Sequence, residues 1–492
     1  MLLLSYTAPF LSILAGIPLF GILFILPIEP KRKKNVIDCS LLIAFFDFIA
    51  VGLLAFNFDY QVKYCQFFEQ YKLVTLYDMN LTMGADNISV VFLVLLALSF
   101  ALAVVLCSFQ AEQYLKKQLV LLMVMTSFSL AAICSLDLLF FFIFSEAAFF
   151  IFLLTIKIDN FEQKISFPEI GGLLFASSFL FFIFLVVLSI NLNSTVINVF
   201  QPKAPDFTVL KHVLLGSLLL RIGVIVHQSW VRSIIQQSSS YILFTFSTFI
   251  GLLCAYYVIR FLPIAIVNKY TLLLVILSVA FVFIKTAFTV VKTVGKQSIL
   301  KITPNIAQFL FCKIILISVI CNTAQNKSLF LLCNYTLSIT GLFTVSFLYA
   351  AVSKVRSASE FMGSVPDSIN STGTAEKSKL QGVLCAALFY FFASLVGVPG
   401  TFGFFCNYIV CCSLVRSGHF AALLWYAFCS LIEIFVLARV FHVTVFDKMH
   451  VDIFFLKNPY TDQKYCTRIV VILALLVTIA MVTLNIRFFV NW

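Results

Sequence analysis

The feature that most constrains this chain is a succession of apolar runs, each about the thickness of a bilayer, separated by short charged turns. A membrane-spanning helix needs about 20 apolar residues. Fourteen such runs can be marked, from 8–27 to 468–489, among them 137–156, 209–229, 304–322, 380–413 and 418–441. Of the 492 residues, 62% are hydrophobic and only 11% charged, which excludes an ordinary soluble domain, a disordered tail and a disulfide-stapled secreted module. The fold class expected is an all-α membrane protein of about 14 transmembrane helices. The first run does not read as a cleaved signal, because no basic stretch precedes it and the cluster Lys31-Arg32-Lys33-Lys34 follows it.

The formal charge of +12 reads as topology rather than as nucleic-acid affinity. Loops on the side of the Lys31–Lys34 cluster hold 21 of the 33 Lys and Arg residues, and the opposite side holds nine. That ratio supports the spans and places both termini on the outer side. Fourteen cysteines lie mostly inside apolar runs (Cys107, Cys134, Cys254, Cys312, Cys385, Cys429) and form no C-x-x-C pair, so they read as small packing residues. No metal site or redox centre is expected. Cys65 and Cys466 fall on opposite faces of the membrane and are not expected to pair. The long polar stretch 354–379 reads as a flexible linker or as an amphipathic surface helix.

Run 380–413 is too long for one straight helix, and its middle carries Gly397, Pro399, Gly400 and Gly403. Pro and Gly there permit a break at mid-membrane depth, which either lines a buried path or is a simple packing kink. Ionisable side chains inside the runs cost about 2.5–3.5 kcal/mol each on insertion scales and are therefore functional candidates. They are Asp47, Glu146, Arg221, Lys285, Lys313 and Glu433, with Asp137 at a helix border. Glu146 ends an otherwise apolar stretch that starts at Asp137; such a carboxyl, set between burial and a nearby cation, suits a proton relay.

Several stretches resemble a known family. Leu76-Tyr-Asp-Met-Asn-Leu-Thr-Met-Gly-Ala-Asp86-Asn-Ile-Ser-Val-Val-Phe92 is similar to the pattern h-x-M-G-I-D-G-L-S-L-F-F, and the run from Asp137 to Glu146 is similar to D-L-L-L-F-Y-V-F-F-E. Val398-Pro-Gly-Thr-Phe-Gly-Phe404 resembles L-P-G-T-S-S-F, with Gln66-Phe-Phe-Glu69 and Ile259-Arg260-Phe261 in register. The family is chain 4 of mitochondrial NADH–ubiquinone oxidoreductase (respiratory complex I), one of its antiporter-like membrane subunits. The sister chain 2 shares the core pattern, but the Met-Gly-x-Asp and Pro-Gly-Thr stretches point to chain 4.

The resemblance implies an antiporter-like fold with two inverted five-helix repeats, each with one broken helix, here near 221–230 and 397–403. The implied divisions are N-terminal helices over 1–117, a first repeat over 118–265, a second over 266–441 including 354–379, and a C-terminal loop and helix over 442–492. It also implies a proton path across the membrane interior. Glu146 matches the family's helix 5 carboxyl, and Arg221, nine residues before Trp230, stands where a helix 7 Lys is expected. Arginine stays protonated, so it pairs but hardly releases a proton. Leu252, Asn334 and Asn407 fall at the helix 8 Lys, helix 11 His and helix 12 Glu, and none of them titrates. Lys285 and Lys313 are unexpected inside their spans. Lys285 with Lys292 and Lys296 shares a helical face and is either a substitute relay or a snorkelling, lipid-binding cation.

Three functions compete at this point: a proton-translocating subunit of complex I, a non-pumping spacer in that complex, and an independent cation/proton antiporter. The implied partners are the neighbouring antiporter-like chains 2 and 5, accessory subunits and membrane lipids, cardiolipin among them, with no nucleic acid. FMN, iron–sulfur clusters and the quinone site are expected on partner chains, since no Rossmann fingerprint, P-loop or quinone motif is visible. Phenylalanine at 58 positions fits a T-rich organellar genome, and so the mitochondrial inner membrane, with both termini on the intermembrane-space side.

Overall fold

A computed structural model describes residues 9–60, 65–74, 79–108, 112–159, 167–192, 208–221, 239–265, 269–293, 331–346, 384–416 and 420–445, with single positions at 62, 302, 305, 306, 310, 312, 313 and 418. The chain is a multi-pass bundle of helices. Seven of the described helices are long and apolar enough to cross a membrane. The expected run at 468–489, the linker 354–379, Cys466, Trp230, Lys296 and most of 304–322 lie outside the described residues.

The N-terminal bundle comprises α1 (Phe10–Ile25), α2 (Lys33–Asn57), α3 (Asn87–Cys107) and α4 (Glu112–Cys134). Helix α3 is buried along its whole length from Ser89 to Cys107, which its all-round apolar sequence allows. By contrast, α1 and α2 present Phe20, Leu23, Phe24, Phe45 and Phe46 outward. In lipid such a face is satisfied without further packing.

Between α2 and α3 the chain forms an antiparallel hairpin, β1 (Gln66–Val74) with β2 (Met79–Ala85), a β element that the helical reading did not anticipate. Its short alternating segment is overshadowed by the apolar runs on either side. The hairpin explains two motifs. Glu69 reaches back to accept hydrogen bonds from the backbone N–H of Leu11 (2.5 Å) and Ser12 (3.1 Å), satisfying orphan donors at the start of α1. At the other end of α1, Lys116 Nζ donates to the carbonyls of Leu26 (2.7 Å) and Ile28 (2.6 Å). Asp86 caps α3 by accepting from Ser89 N–H at 2.8 Å and pairs with Arg260. These contacts put the Lys31–Lys34 turn beside Lys116, and the hairpin beside the start of α1 and beside Arg260, as alternating spans require.

The central helices are α5 (Leu138–Asp159), α6 (Phe167–Leu192), α7 (Thr208–Arg221) and α8. Helix α8 runs as Ser240–Thr245, a π-helical turn over Phe246–Ile250, and Gly251–Ala265. Rings join them: Phe141 lies 4.6 Å from Tyr257 and 5.4 Å from Phe261, and Phe181 lies 5.4 Å from Tyr257. Helix α9 (Lys269–Thr293) follows, then α10 (Leu331–Ser346), α11 (Leu384–Val396), α12 (Phe402–Arg416) and α13 (Phe420–Val445). Cys107, Cys134, Cys312 and Cys429 are buried as packing residues, whereas Cys254 and Cys385 are half-buried.

The run at 380–413 is indeed broken. Helix α11 closes with Gly397 and Val398 N–H both donating to Ala393 O (2.9 and 3.0 Å), and Pro399 has no N–H to continue the ladder. Gly397 (φ +81°) and Gly400 (φ +92°) occupy left-handed backbone that other residues rarely adopt. The second break, expected near 221–230, lies outside the described residues except for Arg221, which is helical in α7.

Candidate functional site

Two ion pairs, one partly and one fully buried, and a line of polar groups between them form the candidate site. The first pair joins Glu146 of α5 to Arg221 at the end of α7. Ser178 of α6 sits between them: its hydroxyl donates to Glu146 Oε2 at 2.5 Å and accepts from Arg221 Nη2 at 3.0 Å. The guanidinium lies 4.5 Å from the ring centres of both Phe149 and Tyr257. Its Nε and Nη1 have no hydrogen-bond partner among the described residues. Tyr257 is itself held by Ser145 at 2.5 Å. Arg221 is 2% exposed and Glu146 25%, so the pair is more open on the side of the glutamate.

The second pair joins Lys313 to Glu433 of α13, each side chain 1% exposed. The sequence presents these two residues as separate ionisable positions, and the fold brings them together across 120 positions. Lys313 Nζ stands over the rings of Tyr426 (4.6 Å) and Tyr335 (5.8 Å). Tyr426, seven residues before Glu433 and thus on the same face of α13, donates its hydroxyl to Asn407 Oδ1 at 2.5 Å.

Asn407 lies at the helix break. A Cβ added at Gly397 would meet its Nδ2 at 2.3 Å, so the glycine makes room for the amide. Asn334 of α10 serves the same break from the other side: its Nδ2 donates to Ser394 O at 3.2 Å, and its Oδ1 accepts from Ser394 Oγ at 2.8 Å. A carbonyl freed by the broken ladder is thereby satisfied inside the membrane. Gly403 lets α12 approach this carbonyl, since a Cβ there would lie 1.7 Å from Ser394 O.

Leu252, expected at a lysine position, is buried in α8 and lines a cavity of about 10 Å³, the scale of one water molecule. The hydroxyl-bearing residues around that cavity are Ser247 and Thr248, from the π turn, and Thr336 and Thr340, from α10. Polar groups therefore continue from α8 to α10 where the ionisable residue is lacking.

Other candidates separate from this line. Lys285 is half-buried on α9, whose outward face carries Phe281, Ile284 and Phe288, and Lys292 is exposed. Asp47 is buried in α2 with neither oxygen hydrogen-bonded among the described residues. Asp137 begins α5, accepting from Leu139 N–H at 3.1 Å. Ser178, Tyr257, Ser394 and Tyr426 were missed in the sequence, where a lone hydroxyl on an apolar helix is unremarkable; the i, i+7 spacing of Tyr426 and Glu433 was the available signal.

No family model matches the chain. Among curated relatives it is 30% identical over 144 residues to NADH-quinone oxidoreductase subunit M of Rickettsia conorii, covering 28% of this chain and 29% of that protein. It is 28% identical over 148 residues to NADH-ubiquinone oxidoreductase chain 4 of Marchantia polymorpha, covering 30% of each. The matched stretch thus spans less than a third of either relative. Among solved structures, respiratory complex I from Thermus thermophilus with bound NADH matches over 96% of this chain and 94% of that chain, with TM-score 0.66 and 16% identity. The Mrp complex from Dietzia sp. matches over 88% and 79%, with TM-score 0.68 and 13% identity. The resemblance carried by the motifs therefore holds: by sequence the chain is similar to the chain 4 and subunit M proteins, and it has the fold of the antiporter-like membrane subunits.

Proposed function

We propose that the chain is a membrane-arm subunit of a proton-translocating NADH:quinone oxidoreductase and that it carries part of the proton path. The observation that carries the reading is the Glu146–Arg221 pair, a charged pair bridged by Ser178 inside an apolar bundle. An intramembrane ion pair is costly and is retained where charge is moved. From that pair the path runs past Tyr257 and the cavity at Leu252, through Asn334, the break at Gly397–Gly400 and Asn407, to Lys313 and Glu433. Lys285 serves as a flanking cation. The chain itself holds no redox group in this reading; FMN, iron–sulfur clusters and the quinone site belong to partner chains. Its neighbours are the antiporter-like chains 2 and 5, accessory subunits and membrane lipids, cardiolipin among them. The location is the mitochondrial inner membrane, with both termini facing the intermembrane space.

The test is Glu146→Gln in the assembled complex in sealed membrane vesicles. NADH-driven electron transfer is expected to persist while protons moved per electron fall. Unchanged stoichiometry would remove the reading. A second reading, a non-pumping spacer, is favoured by the non-titrating Leu252, Asn334 and Asn407, and predicts that unchanged result. Migration away from NADH dehydrogenase activity on purification would instead favour an independent antiporter.

A further inference from the structure

We infer that the Lys313–Glu433 pair is the proton-exchanging site of the second half of the molecule, acting where Asn407 cannot. The inference rests on the proton-path reading above and names the residues that exchange. Asn407 carries no titratable group, yet it is joined through Tyr426 to a pair that does. Lysine, unlike arginine, gives up its proton readily from a buried site. Glu433 uses Oε2 for Lys313, while its Oε1 is buried without a hydrogen-bond partner among the described residues. The Tyr335 hydroxyl, whose ring also faces Lys313, is buried, is directed at the Glu433 carboxylate and closes no hydrogen bond of full geometry among the described residues. A hydroxyl directed at a carboxylate oxygen without a full hydrogen bond, beside one ion pair, marks a place for an arriving proton or water. The other titratable groups facing Lys313 are the thiols of Cys411 and Cys429.

The exchange balances in three moves. A proton arriving at Glu433 Oε1 neutralises the carboxylate. Lys313 Nζ, no longer countered, releases one proton to water on the opposite side, leaving a carboxylic acid beside a neutral amine. A turn of the carboxyl group brings its protonated oxygen to Nζ, and transfer of that proton to the neutral amine restores the ion pair. One proton has crossed, and no oxidant or reductant is consumed.

The experiment compares three forms of the assembled complex in sealed vesicles, reading electron transfer and proton uptake together. Lys313→Arg keeps the charge and the pair but withholds the proton. The double variant Lys313→Met with Glu433→Met replaces the pair by apolar side chains of similar length, which buried sites often tolerate. Both are expected to assemble, to transfer electrons and to lose this subunit's share of the protons moved per electron. In the wild-type complex, dicyclohexylcarbodiimide, which reacts with protonated carboxyls, is expected to label Glu433 during turnover, as read by peptide mass spectrometry. Normal stoichiometry in Lys313→Arg, or no turnover-dependent label on Glu433, would overturn the inference. If Glu146→Gln still lowers stoichiometry under those outcomes, the proton-path reading survives and only this assignment falls. Normal stoichiometry in Glu146→Gln as well would remove both.

Discussion

The two ion pairs solve one problem in opposite ways. In the first half the cation is an arginine at 2% exposure, fixed between two rings, and the carboxylate is 25% exposed. In the second half both partners are sealed at 1%, and the cation is a lysine on a flexible stem. A permanent charge beside a partly exposed carboxylate leaves the carboxylate as the partner that can take up a proton. A releasable charge beside a sealed carboxylate is suited to moving a proton when the seal opens. The difference teaches that two ion pairs in one bundle need not share a duty, because the chemistry of the cation decides which partner titrates.

That contrast can be broken most forcefully at Glu433. Glu433→Met alone leaves Lys313 buried and uncompensated, at about 3–5 kcal/mol; assembled subunit on native gels is expected to fall sharply and to recover with Lys313→Met added. In the first half, Ser178→Ala removes a hydroxyl that both donates to Glu146 and accepts from Arg221. A loss of about 2 kcal/mol is expected, seen as a lower melting temperature of the solubilised complex. Arg221→Lys tests whether the arginine is needed as a fixed charge. Its ammonium gives up the planar stacking between Phe149 and Tyr257, at about 1 to 2 kcal/mol, and the pH profile of proton uptake is expected to shift from that of wild type. The smallest effect is expected from Tyr426→Phe, which removes the hydroxyl bonded to Asn407, at about 1 kcal/mol. A large pumping defect in that variant would mean that the second pair depends on the amide more than on its own seal.

How much of this could be read from residues alone follows the range of the interactions. The break at Gly397, Pro399 and Gly400 was legible because it is local: a missing N–H and two left-handed backbone positions lie within four residues. Glu146 and Arg221 were legible as matches to family positions. Lys313 and Glu433 stood out singly as costly charges, but no periodicity connects residues 120 positions apart, so their pairing appears only in the fold. The same limit hid Asn334, which looked like a lost histidine until its amide was seen on the Ser394 carbonyl. Lys285 attracted notice for its charge, and only packing reveals the outward aromatic face it shares. The π turn of α8 leaves only Ser247 and Thr248 as a mark in the sequence, and hydroxyls of that kind also occur in ordinary apolar helices.

The clamps on α1 bear on how the protein is made. Its leading N–H groups are satisfied by residue 69 and the carbonyls just past its end by residue 116, both synthesised after the helix itself. A nascent chain halted before residue 116 would therefore carry a first helix that is inserted but not yet docked. Assembly factors that recognise unfinished intermediates would find in those bare helix ends a signal that vanishes once the fourth helix arrives.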